Sequence, residues 1–420
     1  MAEKVIRSEA AWQQVKREEK SERLSGVQKI LLALQHLLAM FGATVLVPML
    51  TGLNVSVALV SAGVGTLVFH LCTKKKVPVF LGSSFAFIPV IIAVREAYGD
   101  LGYAQGGIIA AGFIYVLVSL IVSKVGVDKI KEFFPPQVIG PMIVVIGTNL
   151  IPVAFGMAKE NYLLSAVTLG TALAITLFAK GFFKQTSIIT GVFVGYALAL
   201  YLGAVDTSIV GSADLLHVPD FTLPKFSFGA VAVIAPVVLA VFMEHIGDVT
   251  TNGMVVGKNF LEDPGLHRTL LGDGLATLFA GLIGGPANTT YGENTGVLAL
   301  TKNYDPAILR ITALLAIVLG FIGKVGGFLR TIPTAVMGGI SLMLFSMIAL
   351  IGVKTIRNAK TRMNVKNLFV IATVLFIGLS GHLNLQIGIP ITENVSLSGL
   401  SLAAVAGVAL NKLIYCTGKD

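Results

Sequence analysis

From residue 26 onward the chain is a succession of long apolar stretches cut by short polar connections. The runs fall near 27–48, 54–72, 78–94, 104–123, 136–156, 163–179, 186–203, 229–250, 269–285, 288–301, 308–328, 332–352, 367–381 and 397–416. These fourteen runs take up about 28 residues each with their connections, which suits the roughly 20 residues a helix needs to cross a bilayer. The pattern predicts an all-α polytopic membrane protein. Two runs make poor helices. The third carries Gly82-Ser83-Ser84; the tenth is short, follows Gly284-Gly285-Pro286, and carries Tyr291-Gly292-Glu293-Asn294 and Gly296. Interrupted spans at matching places in two halves of a chain point to a transporter binding site.

A short string supports two halves. Pro135-Pro136-Gln137-Val138-Ile139-Gly140 recurs as Pro333-Thr334-Ala335-Val336-Met337-Gly338. Both copies read Pro-x-x-Val-x-Gly at the head of a run, the fifth and the twelfth. The broken runs, third and tenth, also differ by seven. Seven is odd, so the second copy enters the membrane from the other side, which makes an inverted repeat. No long Gly/Ser linker divides the chain, so residues 26–420 read as one membrane domain behind a polar tail, residues 1–25.

Composition agrees. Of 420 residues, 55% are hydrophobic and 13% charged, about half the charge of a soluble domain. The mean hydropathy of +0.85 excludes a soluble enzyme and a disordered scaffold, because a soluble fold would expose large apolar patches. The net charge of +9 suggests nucleic acid until the positions are read. With the N-terminus inside, only Arg95, Lys159, Lys225, Lys324 and Arg330 of the 31 basic residues fall on the outer side. Such asymmetry is an orientation signal, with both termini cytoplasmic. The tail lacks the apolar core and cleavage site of a signal peptide; it reads as a cytoplasmic segment, with Ala11, Trp12 and Val15 on one face if it is helical. Cys72 and Cys416 give no disulfide framework.

The chemistry lies in the few ionisable groups inside apolar runs, where a charge costs about 2.5–3.5 kcal/mol at the bilayer centre. Glu244, His245 and Asp248 interrupt the eighth run, and Glu244 and Asp248 share a helix face. Glu293 lies in the broken tenth run, Asp273 in the ninth and His36 in the first. Asp273 either bridges helices or carries a proton. His36 satisfies a buried carbonyl or takes part in transport, and His245 reads as structural. Glu244 and Glu293 are harder to explain as packing. A carboxylate accepts strong hydrogen bonds from N–H donors, and a broken helix leaves backbone N–H groups free for carbonyls. Phe85 and Tyr291 could stack on a ring. Together these fit a flat heterocycle with N–H and C=O edges. Desolvation makes a neutral carboxyl group cheaper than a charged one, which suits proton coupling without a metal or nucleotide. No Walker motif, zinc-ligand spacing or His-Glu-x-x-His is present. Gly82-Ser83-Ser84 faintly suggests an intramembrane serine hydrolase, but no base accompanies it.

Glu293-Asn294-Thr295-Gly296-Val297-Leu298-Ala299-Leu300-Thr301-Lys302 matches in full the signature of the nucleobase–ascorbate transporter (nucleobase:cation symporter) family. Gln35-His36, Gly82-Ser83-Ser84-Phe85 and Glu244-His245-Ile246-Gly247 resemble it too, and the resemblance spans the chain after the tail. It implies fourteen spans as a 7+7 inverted repeat, with short extended segments in spans 3 and 10. Spans 1–4 and 8–11 (about 27–124 and 229–330) would form a core, and spans 5–7 and 12–14 (about 134–204 and 331–416) a gate. Substrate would lie between them. Glu244 and Glu293 would accept from ring N–H groups, main chain at Phe85 and Gly292 would meet ring carbonyls, and Ala43, Tyr291 and Phe345 would line the pocket. Glu244, Asp248, His36 and Asp273 are the implied proton-coupling candidates, with the proton in place of any other cofactor. A homodimer in the lipid of a bacterial cytoplasmic membrane is also implied, with no nucleic-acid partner.

Glu293 after Tyr291-Gly292 resembles the uracil branch of the family. Asp248 departs from it, since uracil members have a histidine there and an acid resembles purine members; Phe345 replaces a tyrosine. The expectation is therefore a proton-coupled uracil importer. The alternatives are a xanthine or uric acid symporter of the same fold and, from other classes, an intramembrane enzyme or a passive channel.

Overall fold

The computed structural model of the chain describes residues 25–127, 129, 134–358, 364–383, 385, 387–392 and 395–416. Residues 1–24 of the tail, with the helical face read in it, lie outside the described residues. The helices of ten or more residues are α1 (Gly26–Thr51), α2 (Val55–Cys72), α3 (Ile88–Tyr98), α4 (Leu101–Val125), α5 (Pro136–Ala158), α6 (Tyr162–Phe178) and α7 (Ser187–Tyr201), followed by α8 (Val237–Val256), α9 (Leu266–Ile283), α10 (Gly292–Thr301), α11 (Pro306–Gly320), α12 (Thr334–Asn358), α13 (Val365–Leu379) and α14 (Gly399–Cys416), with short unnumbered helices at Phe182–Gln185, Ser208–Ser212, Phe228–Ile234 and Gly323–Arg330. Short strands interrupt them: β1 (Leu81–Ser83), β2 (Asn288–Thr290), β3 (Gly388–Thr392) and β4 (Val395–Ser398). Among the described residues seven helices are long and apolar enough to cross a membrane: α1, α2, α4, α5, α8 with the short helix Phe228–Ile234 before it, α12 and α13. Four shorter ones, α6, α7, α11 and α14, are also apolar.

Side-chain caps start many of them. The Ser25 hydroxyl accepts from Gln28 N–H while the Gln28 side chain accepts from Ser25 N–H, a reciprocal cap. Asn54, Asp100, Asn161, Asp305 and Asn364 cap α2, α4, α6, α11 and α13. The helices are apolar all round. On α4, Tyr115 and Gly112 are buried, while Phe113, Leu117, Leu120 and Ile121 are exposed on the opposite side. Such a helix fits lipid on its outer face.

Glycine sets the closest helix pairs. The Pro-x-x-Val-x-Gly strings head α5 and α12, where the Pro135 and Pro333 carbonyls each accept from the N–H three residues on, at 2.8 and 3.0 Å. Their glycines sit at opposite ends of one antiparallel packing. A Cβ on Gly140 would stand 3.0 Å from the Gly352 carbonyl, and one on Gly338 2.5 Å from Ala158 N. A second pair, α2 with α11, closes through Gly63 against the Ala313 carbonyl and Gly320 against the Ser56 carbonyl. A third, α9 with α4, closes through Gly112 against Leu278 N and Gly281 against Ile109 N. Adding or subtracting seven from the helix numbers turns the second pair into the third, and the first into itself.

The strands repeat the pattern. β1 and β2 pair antiparallel, Leu81 opposite Thr290 and Ser83 opposite Asn288. Flanking bonds run from Ser84 N to the Ala287 carbonyl (2.8 Å) and from Tyr291 N to the Phe80 carbonyl (3.0 Å). One threonine anchors the head of each strand. Leu81 N–H donates to the Thr66 hydroxyl of α2 at 2.8 Å. On the other side Asn288 N–H donates to the Thr277 hydroxyl of α9 at 3.3 Å, and that hydroxyl donates to the Asn288 carbonyl at 3.1 Å. Every group is buried, so Thr277→Val strands two backbone groups. We expect it to lower unfolding stability by about 1–3 kcal/mol, read by thermal melting in detergent.

The hairpin of β3 and β4 and a short helix, Gly323–Arg330, before α12 had no counterpart in the hydrophobic pattern. The hairpin falls mainly between the thirteenth and fourteenth runs, while the short helix overlaps the end of the eleventh run, 308–328, which the pattern read as one span.

A candidate substrate site beside the paired strands

The chain leaves each short strand directly into a half-length helix. After β1 it makes a single turn at Phe85–Phe87 and enters α3; after β2 it enters α10 at Gly292. Neither start carries a side-chain cap. The first N–H groups of a helix have no partner inside it, and its N-terminus carries partial positive charge. Two such ends therefore flank one strand pair, presenting backbone donors.

Tyr291 holds the junction together. Its hydroxyl donates to the Ser83 carbonyl at 3.0 Å, and the Ser83 hydroxyl donates to the Thr44 carbonyl at 3.0 Å. The ring lies where a Cβ of residue 82 would be, so only glycine fits there. Asn288 extends its amide to the Ser61 and Ala276 carbonyls, both at 3.2 Å. Thr66, Thr277 and Asn288 are functional supports that the sequence did not reveal. A hydroxyl on an apolar helix gives no sign of which distant strand it anchors.

Alongside this junction runs α8. Glu244, Asp248 and Glu293 are partly exposed in a region otherwise closed, as is Phe85, while Gly247 and Gly292 are exposed. A Cβ on either glycine would meet nothing within 4 Å. Glu244 lies within electrostatic reach of Glu293 and Asp273, and Asp248 within reach of Glu244, Glu293 and His245. Asp248 also accepts from the Thr290 hydroxyl at 3.0 Å, which ties α8 to β2. Exposure continues along α8 through Thr251 and Met254, and along α10 through Gly296, Ala299 and Leu300. Both stripes run toward the same ends, at Gly257 and Lys302. We take this exposed strip between α8 and α10, with three carboxylates at its head, as the candidate cleft.

The other sequence candidates divide. Phe85 meets Phe345 edge-on, ring centroids 5.9 Å apart. Phe345, Ala43 and Tyr291 are buried, the first two fully. His36 is buried and receives the Asn294 amide on Nδ1 at 3.1 Å and on its carbonyl at 3.0 Å, linking α1 to α10. Asp273 does not reach the cleft. It is fully buried and pairs with His245 Nδ1 at 2.8 Å, while His245 Nε2 meets the Thr269 hydroxyl at 2.8 Å. This bridge fastens α8 to α9. Ser83 is fully buried with its hydroxyl engaged, so it is not a nucleophile.

Residues 27–387 match the model of a permease family. The chain belongs to the nucleobase–ascorbate transporter family. It is 42% identical over 404 residues to a probable uracil permease of Haemophilus influenzae, covering 94% of this chain and 96% of that one. It is 39% identical to the uracil permeases of Bacillus subtilis and Escherichia coli, covering more than nine-tenths of each chain. Solved structures share the fold at low identity. Murine Slc26a9, an anion transporter captured inward-facing, superposes with a TM-score of 0.70 at 11% identity over 94% of this chain and 69% of that one. The transmembrane domain of the cyanobacterial bicarbonate transporter BicA gives 0.62 at 14%, over 92% and 96%. The transporter is thus a multi-pass bacterial membrane protein and not an enzyme.

Proposed function

We propose that this transporter imports uracil together with a proton, by alternating access between a core of spans 1–4 and 8–11 and a gate of spans 5–7 and 12–14. One observation supports the reading: Glu244 and Glu293 are partly exposed and within electrostatic reach of each other, with Glu293 in the first turn of α10, in a chain about 40% identical to several uracil permeases. Uracil has two N–H donors and two carbonyls. The carboxylates would take the N–H groups, and backbone N–H at Gly292 and beside Phe85 the carbonyls. The glycine and threonine contacts that exchange under a shift of seven helices support fourteen spans in a 7+7 inverted repeat.

Asp248 is the proposed proton carrier beside Glu244. One of its oxygens is held by Thr290, and its side chain is open to the cleft. Asp273 and His36 sit in buried hydrogen-bonded pairs and serve to position α8 and α10. Both termini would be cytoplasmic, so that the cleft opens inward, and a homodimer in the cytoplasmic membrane is the proposed assembly.

The test is uptake of radiolabelled uracil into proteoliposomes. Expected are saturable uptake, weak competition by unlabelled xanthine, and collapse on adding a protonophore. Stronger competition by xanthine than by uracil would favour the purine reading. Uptake indifferent to the protonophore would end the claim of proton coupling.

A further inference from the structure

Most glycines in the helices around the cleft have a packing reason. Gly63 on α2, Gly112 on α4, Gly274 on α9 and Gly320 on α11 each sit where a Cβ would strike a neighbouring helix's backbone. Gly247 differs. It lies in the middle of α8, far from either end, and a Cβ there would meet nothing within 4 Å. It is not needed for a turn, since no positive φ is found there. Glycine in a helix interior is less favourable than alanine. The protein's own packing therefore gives no return for that loss.

The surroundings say what the space is for. Gly170 on α6 is just as open, but its neighbours Leu163, Ala166 and Leu173 are exposed apolar residues of a lipid-type surface. Gly247 instead lies three residues after Glu244 and directly before Asp248, both partly exposed carboxylates. On α10 Gly292, equally open, directly precedes Glu293. Bare helix surface between two acids, with a second bare position beside a third, leaves room for something flat.

We propose that Gly247 sets the clearance of the substrate slot: its lack of a side chain admits a planar ring between α8 and the start of α10, and even a methyl group there competes with the ring. This rests on the cleft being the nucleobase site, and it adds a specificity-determining residue with no hydrogen-bonding role.

The test compares full-length wild type with Gly247→Ala and Gly170→Ala in detergent, by thermal shift without ligand and by uracil binding. Gly247→Ala should melt at or above the wild-type temperature without ligand, because alanine favours the helix. It should bind uracil about tenfold more weakly, the scale of overpacking a filled site by one methyl. Gly170→Ala should keep wild-type affinity. Equal affinity in Gly247→Ala overturns the proposal. So does a fall in its ligand-free melting temperature, since the methyl would then be meeting protein rather than ligand. A wild type that binds no nucleobase sinks the reading of the cleft itself, a result separate from either.

Discussion

Glu244→Ala and Glu293→Ala are each expected to abolish uracil binding and to leave a folded protein. Neither carboxylate has a protein hydrogen-bond partner among those that fix the strand pair, where the contacts run through Thr66, Thr277, Asn288 and Tyr291. Removing either acid therefore takes an acceptor from the substrate and leaves the scaffold intact. Truncating one side of a desolvated, hydrogen-bonded charge contact costs about 2–5 kcal/mol, or roughly 30- to 4,000-fold in Kd. Glu→Gln at either site keeps one acceptor oxygen and introduces donors facing the ring's N–H edge, so it should retain little. Calorimetric titration of the purified variants with uracil is the measurement. Wild-type affinity in either alanine variant with an unchanged elution profile would mean that the ring binds elsewhere.

The legible part of this architecture was the part written in period and polarity. Apolar runs located most helices to within a few residues, though the third run starts well before α3 and the eleventh ends well after α11, and the two breaks at Gly82 and Tyr291-Gly292 fell at the strand pair. The two strings of six residues marked the repeat at the heads of α5 and α12, but not that each glycine packs against the other helix's backbone. Acids within apolar runs stood out because burying charge is expensive. What stayed hidden was partner choice. Nothing in the run that forms α9 says whether Asp273 faces the cleft or His245, because a rotation of one position changes the face and leaves the hydropathy unaltered. The residues that anchor the strands were equally silent: Thr277 reads as an ordinary tolerable hydroxyl in a helix until Asn288 is seen beside it. The hairpin after α13 lacked any strong signal, its two strands being short and, among the described residues, paired only with each other.

Asp273 and Asp248 should separate stability from coupling. Asp273 and His245 are both fully buried and share a 2.8 Å contact, with Thr269 closing the other ring nitrogen. Removing one member of such a pair leaves its partner's polar atoms without compensation, at about 3–5 kcal/mol. Asp273→Ala is therefore expected to be the least stable variant described here, with loss of the monodisperse peak or a sharp fall in melting temperature. Asp273→Asn restores an acceptor for His245 and should recover most of that loss, with uptake still collapsing when a protonophore is added. Asp248→Asn should do the reverse. The Thr290 hydroxyl still finds a carbonyl oxygen to donate to, so the fold is kept, but the amide cannot exchange a proton with the cleft. Uptake by Asp248→Asn should lose its dependence on external pH while uracil binding changes far less. If instead Asp273→Asn abolishes the pH dependence and Asp248→Asn preserves it, the proton travels through the buried bridge of α8 and α9, and the open carboxylate beside Thr290 is only a strap.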